Sequence, residues 1–179
     1  VLGELKFNDV VLPESARLGA PGTAFRNVLA TLSVFRISVA GAALGIMEGA
    51  LEEAVKHCSQ REQFGRSLVK HGPVASLLAD SWSDLESSRY LTYQTASLAA
   101  DDPAKSLDRS SLAKLTATEA ACRVVDRCVQ TMGRWGLIRG SKIEKYYRQA
   151  RPMRVYEGAS EVLRLGIANG LVNEFTDGA

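Results

Sequence analysis

The chain is short of the residues from which most metal and nucleophilic sites are built. Its 179 residues hold two histidines, His57 and His71, and three cysteines, Cys58, Cys122 and Cys128. No His pair and no Cys pair stands at ligand spacing, so no metal site is expected. Cys122 and Cys128 lie six apart on a helical pattern and point in different directions. An odd, unpaired set of this kind is expected as buried free thiols in a reducing compartment, the cytoplasm or the mitochondrial matrix. His57 sits at a helix end and His71 in a connector, and each is expected as a surface residue rather than a base. Gly-x-Ser-x-Gly and Walker-type phosphate loops are absent.

Charge of one sign is lacking too. Lys and Arg number 22 against 20 Asp and Glu, a net charge of +2, which gives no case for nucleic acid as a partner. No uninterrupted run of 18 apolar residues occurs, so no membrane span is expected. The N-terminus has no signal-peptide pattern and no initiator Met, so Val1 is expected to mark a processed chain or a piece of something longer. Five prolines and 15 glycines are too few for disorder.

What is present is an ordinary globular composition, 46% hydrophobic, with helical periodicity over most of its length. Residues 1–20 differ from the rest. Leu5, Phe7 and Val10, punctuated by Gly3, Asn8, Asp9 and Pro13, predict one or two short strands that belong to a sheet outside this chain. From Thr23 the pattern is helical. Thr23 predicts a cap for a short helix to about Leu32, and Ser33 caps the next run or marks a bend. That run reaches about Gln60 on Val39, Ala40, Ala43, Leu44, Ile46, Met47, Ala50, Leu51 and Ala54. Gly41, Gly45 and Gly49 recur every four residues, as on a face approached closely by a helix or a flat ligand. A polar connector, Arg61 to Lys70, carries Phe64 and Gly65.

Pro73 suits the first turn of a further helix through Leu77, Leu78, Trp82, Leu85, Tyr90, Leu91 and Tyr93 to about Ala99. Asp101-Asp102-Pro103 breaks it. Ser106 predicts the cap of a helix carrying Leu112, Leu115, Ala121, Val125 and Cys128, which stops in the glycines around Gly133 and Gly136. A short helix follows over 141–150, ended by Pro152. A last one starts near Glu157 and fades by Asn173. The expectation is an all-α fold: an antiparallel helical bundle of the four-helix type over 21–179, preceded by a short β-strand remnant over 1–20.

Candidate chemistry gathers in a few places. Arg139, Lys142, Lys145, Arg148, Arg151 and Arg154 recur every three residues; with Glu144 among them, a solvated helix face is the preferred reading over phosphate contact. The connector Arg61–Gly65 and the helix exit Gln130–Gly136 each combine polar side chains with glycines that let backbone approach a ligand. In Arg154-Val155-Tyr156-Glu157-Gly158-Ala159-Ser160-Glu161, one carboxylate stands between a ring and a glycine, followed by Val162, Leu163, Leu165, Ile167 and Leu171. Taken alone, Glu157 reads as a helix-entry acid.

Together, in this order, these pieces resemble the C-terminal part of the acyl-CoA dehydrogenase family. Four carry the resemblance: Arg36 followed by Ala40-Gly41-Ala42-Ala43-Leu44-Gly45; Arg61-x-Gln63-Phe64-Gly65 with Leu68 and His71; Gln130-x-x-Gly133-x-x-Gly136; and Tyr156-Glu157-Gly158 with Ser160-Glu161. Phe7 to Pro13 also looks like the end of that family's middle β-domain. The resemblance implies a flavoenzyme that oxidises acyl-CoA thioesters to 2-enoyl-CoA, with FAD as cofactor. It implies Glu157 as the catalytic base, removing the proton alpha to the thioester carbonyl. Arg36 matches an arginine beside the active site, and Ser33 matches a CoA contact. Tyr156 and Gly158 flank the base on the substrate side. Arg61, Gln63, Phe64 and His71 match a segment that reaches the FAD of a neighbouring subunit. Gln130, Gly133 and Arg134 match a loop cradling the FAD pyrophosphate or adenosine end, with Glu161 near the adenosine.

The family pattern is not kept everywhere. Arg134 stands where the loop usually has a second glycine, Gly72 where glutamine is common, and Ala159 where threonine is common. All three departures fall in the FAD contacts. The implied assembly is a homodimer or homotetramer, or a complex with a chain that supplies the N-terminal domains. The electron acceptor and the acyl chain are not specified. The competing expectation is a non-catalytic, dehydrogenase-like bundle that serves subunit association.

Overall fold

The computed structural model describes residues 3–101 and 106–176. Five helices form the fold: α1 (Ala24–Gln60), α2 (Gly72–Asp101), α3 (Leu107–Met132), α4 (Lys142–Ala150) and α5 (Ser160–Thr176). Helix α1 reaches α3 at both ends, with Arg36 on Ser111 and Cys58 on the Thr131 carbonyl, so the two run in the same direction. Helix α2 runs antiparallel to both, and α5 lies back along the first half of α3.

The three long helices bury residues at alternating steps of three and four. The buried stripe of α1 is Ser33, Arg36, Ala40, Ala43, Met47, Ala50, Ala54 and Cys58. That of α3 runs through Ser110, Lys114, Ala117, Ala121, Val124, Cys128 and Thr131. A mean period of 3.5 keeps each stripe facing its neighbour along the whole helix. Both seams are rich in alanine, so the backbones approach closely, and α1 packs more extensively on α3 than any other pair of elements packs. Met47 is the largest apolar side chain wholly enclosed, an anchor contributing about 1.5–3 kcal/mol.

Helix α2 has a different seam: Leu78, Ser81, Leu85, Ser88, Thr92 and Thr95. Each of its four hydroxyls donates to a carbonyl four residues back in α2 itself, at 2.7–2.8 Å. Buried polar groups are thereby satisfied without a partner helix. The expected apolar set is corrected here. Trp82, Tyr90 and Tyr93 are exposed, because a seam against alanine-rich helices has no room for rings.

Other expectations change as well. Helix α1 is continuous for 37 residues, with no break at Ser33. Ser33 sits inside the helix and donates to the Ala30 carbonyl at 2.7 Å, so it caps nothing. The Thr23 hydroxyl donates to the Ala20 carbonyl and accepts from the Asn27 side chain, not from an α1 backbone amide, so it is no cap either. The N-terminal strands are not formed: residues 3–18 contain a 3-10 turn at Glu14–Ala16 and no ladder, since no sheet edge is there to pair with. Of the glycine series, Gly41 and Gly45 face open space, and only at Gly49 does anything come close, the Tyr146 ring of α4. The break at Asp101-Asp102-Pro103 falls largely outside the described residues. On length and composition alone α1 passes as a candidate membrane span; its seam, which carries the buried Arg36, reads as that of a bundle's central helix.

Candidate functional site

The local chain from Arg151 explains how Glu157 is presented. Pro152 lies in the first turn of a 3-10 segment, Arg151–Arg154, which ends the α4 direction. Glu157 and Gly158 then both take positive φ, 56° and 102°. Two left-handed residues in a row cannot continue a helix, so α5 begins at Ser160 instead of near Glu157. Gly158 is required on two counts, its φ and its space. A Cβ there would lie 3.0 Å from Leu163 Cδ2 and 3.3 Å from Arg36 Nη2.

This turn is gripped from two helices. Arg36 of α1 donates from Nε to the Glu157 carbonyl (3.2 Å) and from Nη1 to Ser111 Oγ (2.9 Å). Lys114 of α3 donates from Nζ to the Gly158 carbonyl at 2.7 Å. Glu119, also on α3, holds both flanks: its Oε1 accepts from Arg154 Nε at 2.7 Å and from Ser160 Oγ at 2.6 Å. Burial works against the charge on Glu119, but the Ser160 and Arg154 bonds and the two arginines Arg154 and Arg164 win, and its carboxyl lies below the usual range.

The Glu157 carboxylate is left without such partners. Its Oε2 is buried and is the single buried, unpaired side-chain polar atom among the described residues. Glu157 is also one of the residues lining a cleft of about 450 Å³, with Leu18, Ala24, Val28, Leu32 and Phe35 and with Asn27 and Thr31. Burial first, then the charge of Glu157, raise the Tyr156 hydroxyl, and burial lowers Arg36 against the pull of Glu157. An unpaired buried carboxylate costs free energy, so a group so placed is a candidate for function.

Glu157, Arg36, Tyr156 and Gly158 thus come together as expected. Ser33 is buried and does not line the cleft. The other candidates lie elsewhere. The connector after α1 is a two-residue hairpin, β1 (Glu62–Gln63) and β2 (Arg66–Ser67), turned by Phe64 and Gly65 at φ 51° and 78°. Phe64 is 94% exposed at its tip. His71 Nε2 pairs with the Gln63 carbonyl at 3.1 Å, and its ring meets that of Phe64 edge-on. At the end of α3, Gly133 takes φ 57° with Gln130 and Arg134 exposed beside it, and Arg134 stacks over Trp135 at 4.8 Å. Gly136 has a separate, structural role, since a Cβ would meet the Val129 carbonyl at 2.8 Å. Glu161 is exposed in the first turn of α5. Of the basic series, Lys142 pairs with Glu53, Arg148 with Glu144 and Arg154 with Glu119, so half of it is engaged in ion pairs. No group of three or more potential metal ligands occurs among the described residues.

Lys114, Ser111 and Glu119 are absent from the sequence-based set of site residues. One signal was available: Lys114 is the one charged residue on the buried stripe of α3, at a position where apolar or small residues alternate.

The class of structure is thus a helical bundle that brings one carboxylate with an unpaired oxygen to an apolar cleft, on a turn gripped by cations. The model of the acyl-CoA dehydrogenase C-terminal domain matches residues 23–172, and the chain belongs to that family. It is 39% identical over 171 residues to the mitochondrial short-chain specific acyl-CoA dehydrogenase of Rattus norvegicus, covering 96% of this chain and 41% of that protein. It is 34% identical over 171 residues to the caffeyl-CoA reductase-Etf complex subunit CarC of Acetobacterium woodii, covering 96% and 45%. Among solved structures, butyryl-CoA dehydrogenase from Megasphaera elsdenii superposes with a TM-score of 0.88 at 34% identity, over 93% of this chain and 43% of that one. The chain therefore spans less than half the length of the relatives it matches.

Proposed function

We propose that this chain is the base-bearing domain of a flavin-dependent acyl-CoA dehydrogenase, which oxidises an acyl-CoA thioester to its 2-enoyl-CoA. The observation that carries the reading is the buried, unpaired Glu157 Oε2 at an apolar cleft. A proton alpha to a thioester carbonyl is weakly acidic, and a base for it must be desolvated and aimed. Support for Glu157 in that role is its buried, unpaired Oε2 and its place on the apolar cleft. In this reading its carboxylate takes the proton, Arg36 holds its backbone carbonyl, and Tyr156 and Gly158 flank it on the substrate side. Ser33 stays a CoA-contact candidate only through rearrangement of α1, because its hydroxyl is engaged within the helix.

FAD, when bound, supplies the acceptor for the beta hydride. The fit to this chain is supported by exposed backbone at Gly133 and by Phe64, which stands largely exposed at a strained turn with its ring edge-on to His71. Arg61, Gln63, Phe64 and His71 would hold one part of the cofactor, and Gln130, Gly133, Arg134 and Glu161 another. Arg36 and Arg61 are 25 residues apart on one straight helix, about 38 Å. A cofactor at Glu157 therefore takes its hairpin contact from a second copy, which supports a homodimer or homotetramer. A reducing compartment suits the free thiols, and the names of the relatives point to acyl-CoA as substrate and, for one, to an Etf complex.

The test is Glu157→Gln in the complete, flavin-loaded enzyme. Turnover is expected to fall by about 10²–10⁴-fold, the scale of a general base, with the visible flavin spectrum unchanged. Full turnover in that variant overturns the assignment. A pure complex that binds no flavin supports the non-catalytic association bundle.

A further inference from the structure

Two consecutive carbonyls, those of Glu157 and Gly158, are each gripped by a cation that is itself almost wholly buried. Arg36 is 9% exposed and Lys114 is 0%. A buried lysine has few ways to be satisfied, and this one donates to the Gly158 carbonyl at 2.7 Å. Glutamate pays roughly 1–2 kcal/mol to sit in the left-handed region, so something must hold it there. With both carbonyls held by the cations, Glu157 is at the same time one of the residues that line the cleft. Glu119 fixes where the turn begins and ends, at Arg154 and Ser160, but touches neither left-handed residue.

We propose that Lys114 is a positioning residue for Glu157: by holding the Gly158 carbonyl from the core, it fixes the left-handed turn that aims the Glu157 carboxylate into the cleft. The direction of aim matters only if Glu157 is the base, so the functional half of the proposal rests on the reading above. The charges around the Lys114 ammonium are Arg36, which opposes it, and Glu119, Glu157 and Glu161, which favour it. Burial outweighs them, followed by Arg36, and the ammonium is pushed down to about 8. The grip is thus sensitive to alkaline pH.

The experiment compares the Lys114→Met chain with the unchanged one by amide hydrogen exchange. The expected result is exchange about tenfold or more faster over residues 157–163, with the protected amides of α1–α3 unchanged. Unchanged exchange in the turn, or a uniform loss across all three long helices, overturns the proposal. Should the variant not fold, the unchanged chain answers instead. The labelled Gly158 carbonyl carbon then shifts with a midpoint near the Lys114 value of about 8. A flat response over about pH 7–9.5 overturns it. In the complete enzyme, Lys114→Met is expected to lower kcat about tenfold or more with KM within about twofold, the mark of misaimed chemistry. A loss confined to KM overturns the aiming role. Should Glu157→Gln retain full turnover while the exchange result holds, the proposed function fails and the clamp on the turn stands.

Discussion

At the scale of the residue, the Glu157 turn is a balance between strain and charge. Glu157 and Gly158 adopt a backbone that neither neighbour in sequence asks for, and three charged side chains from α1 and α3 supply the restraint. Glu119 is the acidic member, and its role is open to titration. Its carboxyl lies below the usual range in the folded chain, so the stability it adds is fully present above the ordinary carboxylate value and is lost as pH falls through its folded value. Glu119→Gln is expected to cost about 1–3 kcal/mol near neutrality, with less difference from the unchanged chain as pH drops below about 4. Thermal melting of both chains across that range checks it. Sequence made Glu157 visible through its ring, its glycine and the apolar run behind it. It did not make Glu119 visible, because an exposed-looking acid on a helix gives no sign of which loop, 35 residues onward, will land on it.

At the scale of the element, most of the bundle was legible and its boundaries less so. Apolar periodicity marked α1 and α3, and the short helix read over 141–150 is α4, with Ser141 as its cap, accepting from the Glu144 amide. Two kinds of residue misled. Serine at position 33 looks like a cap and proved to be a seam residue bonded within its own helix. Aromatic residues on α2 look like core and proved to be surface, since hydroxyl side chains that satisfy themselves can fill a narrow seam. The hairpin after α1 was read only as a polar connector, because Phe-Gly is a poor advertisement for a turn that wants Asn-Gly. That mismatch makes a prediction. Phe64→Asn relieves a left-handed aromatic and is expected to leave the fold as stable or raise it by about 1 kcal/mol, while weakening FAD retention in the assembled enzyme. Melting temperature and flavin content, measured on the same preparation, check the two halves separately.

At the scale of the whole molecule, the proposed cofactor contacts fall at opposite ends of α1, and the proposal shares them between two chains. Together with exposed Trp82, Tyr90, Tyr93 and Phe64, this points to self-association. Sedimentation at micromolar concentration is expected to give a mass of two or four times 19.3 kDa. A purely monomeric profile counts against the shared cofactor site.

Helix α2 carries a consequence of its own. Its four seam hydroxyls bond inward to their own backbone, so the helix lies in its groove like a nearly smooth rail, with Leu78 and Leu85 as buried apolar knobs. Ionic pins add to the axial registration: Asp84 to Arg123 and Arg127 on one neighbour, and Arg89 to Glu48 on the other. These pins are partly solvated and therefore screened by electrolyte. Dissolved salt as well as heat therefore bears on how this rail is seated, and with it on the spacing of the exposed aromatic residues of α2.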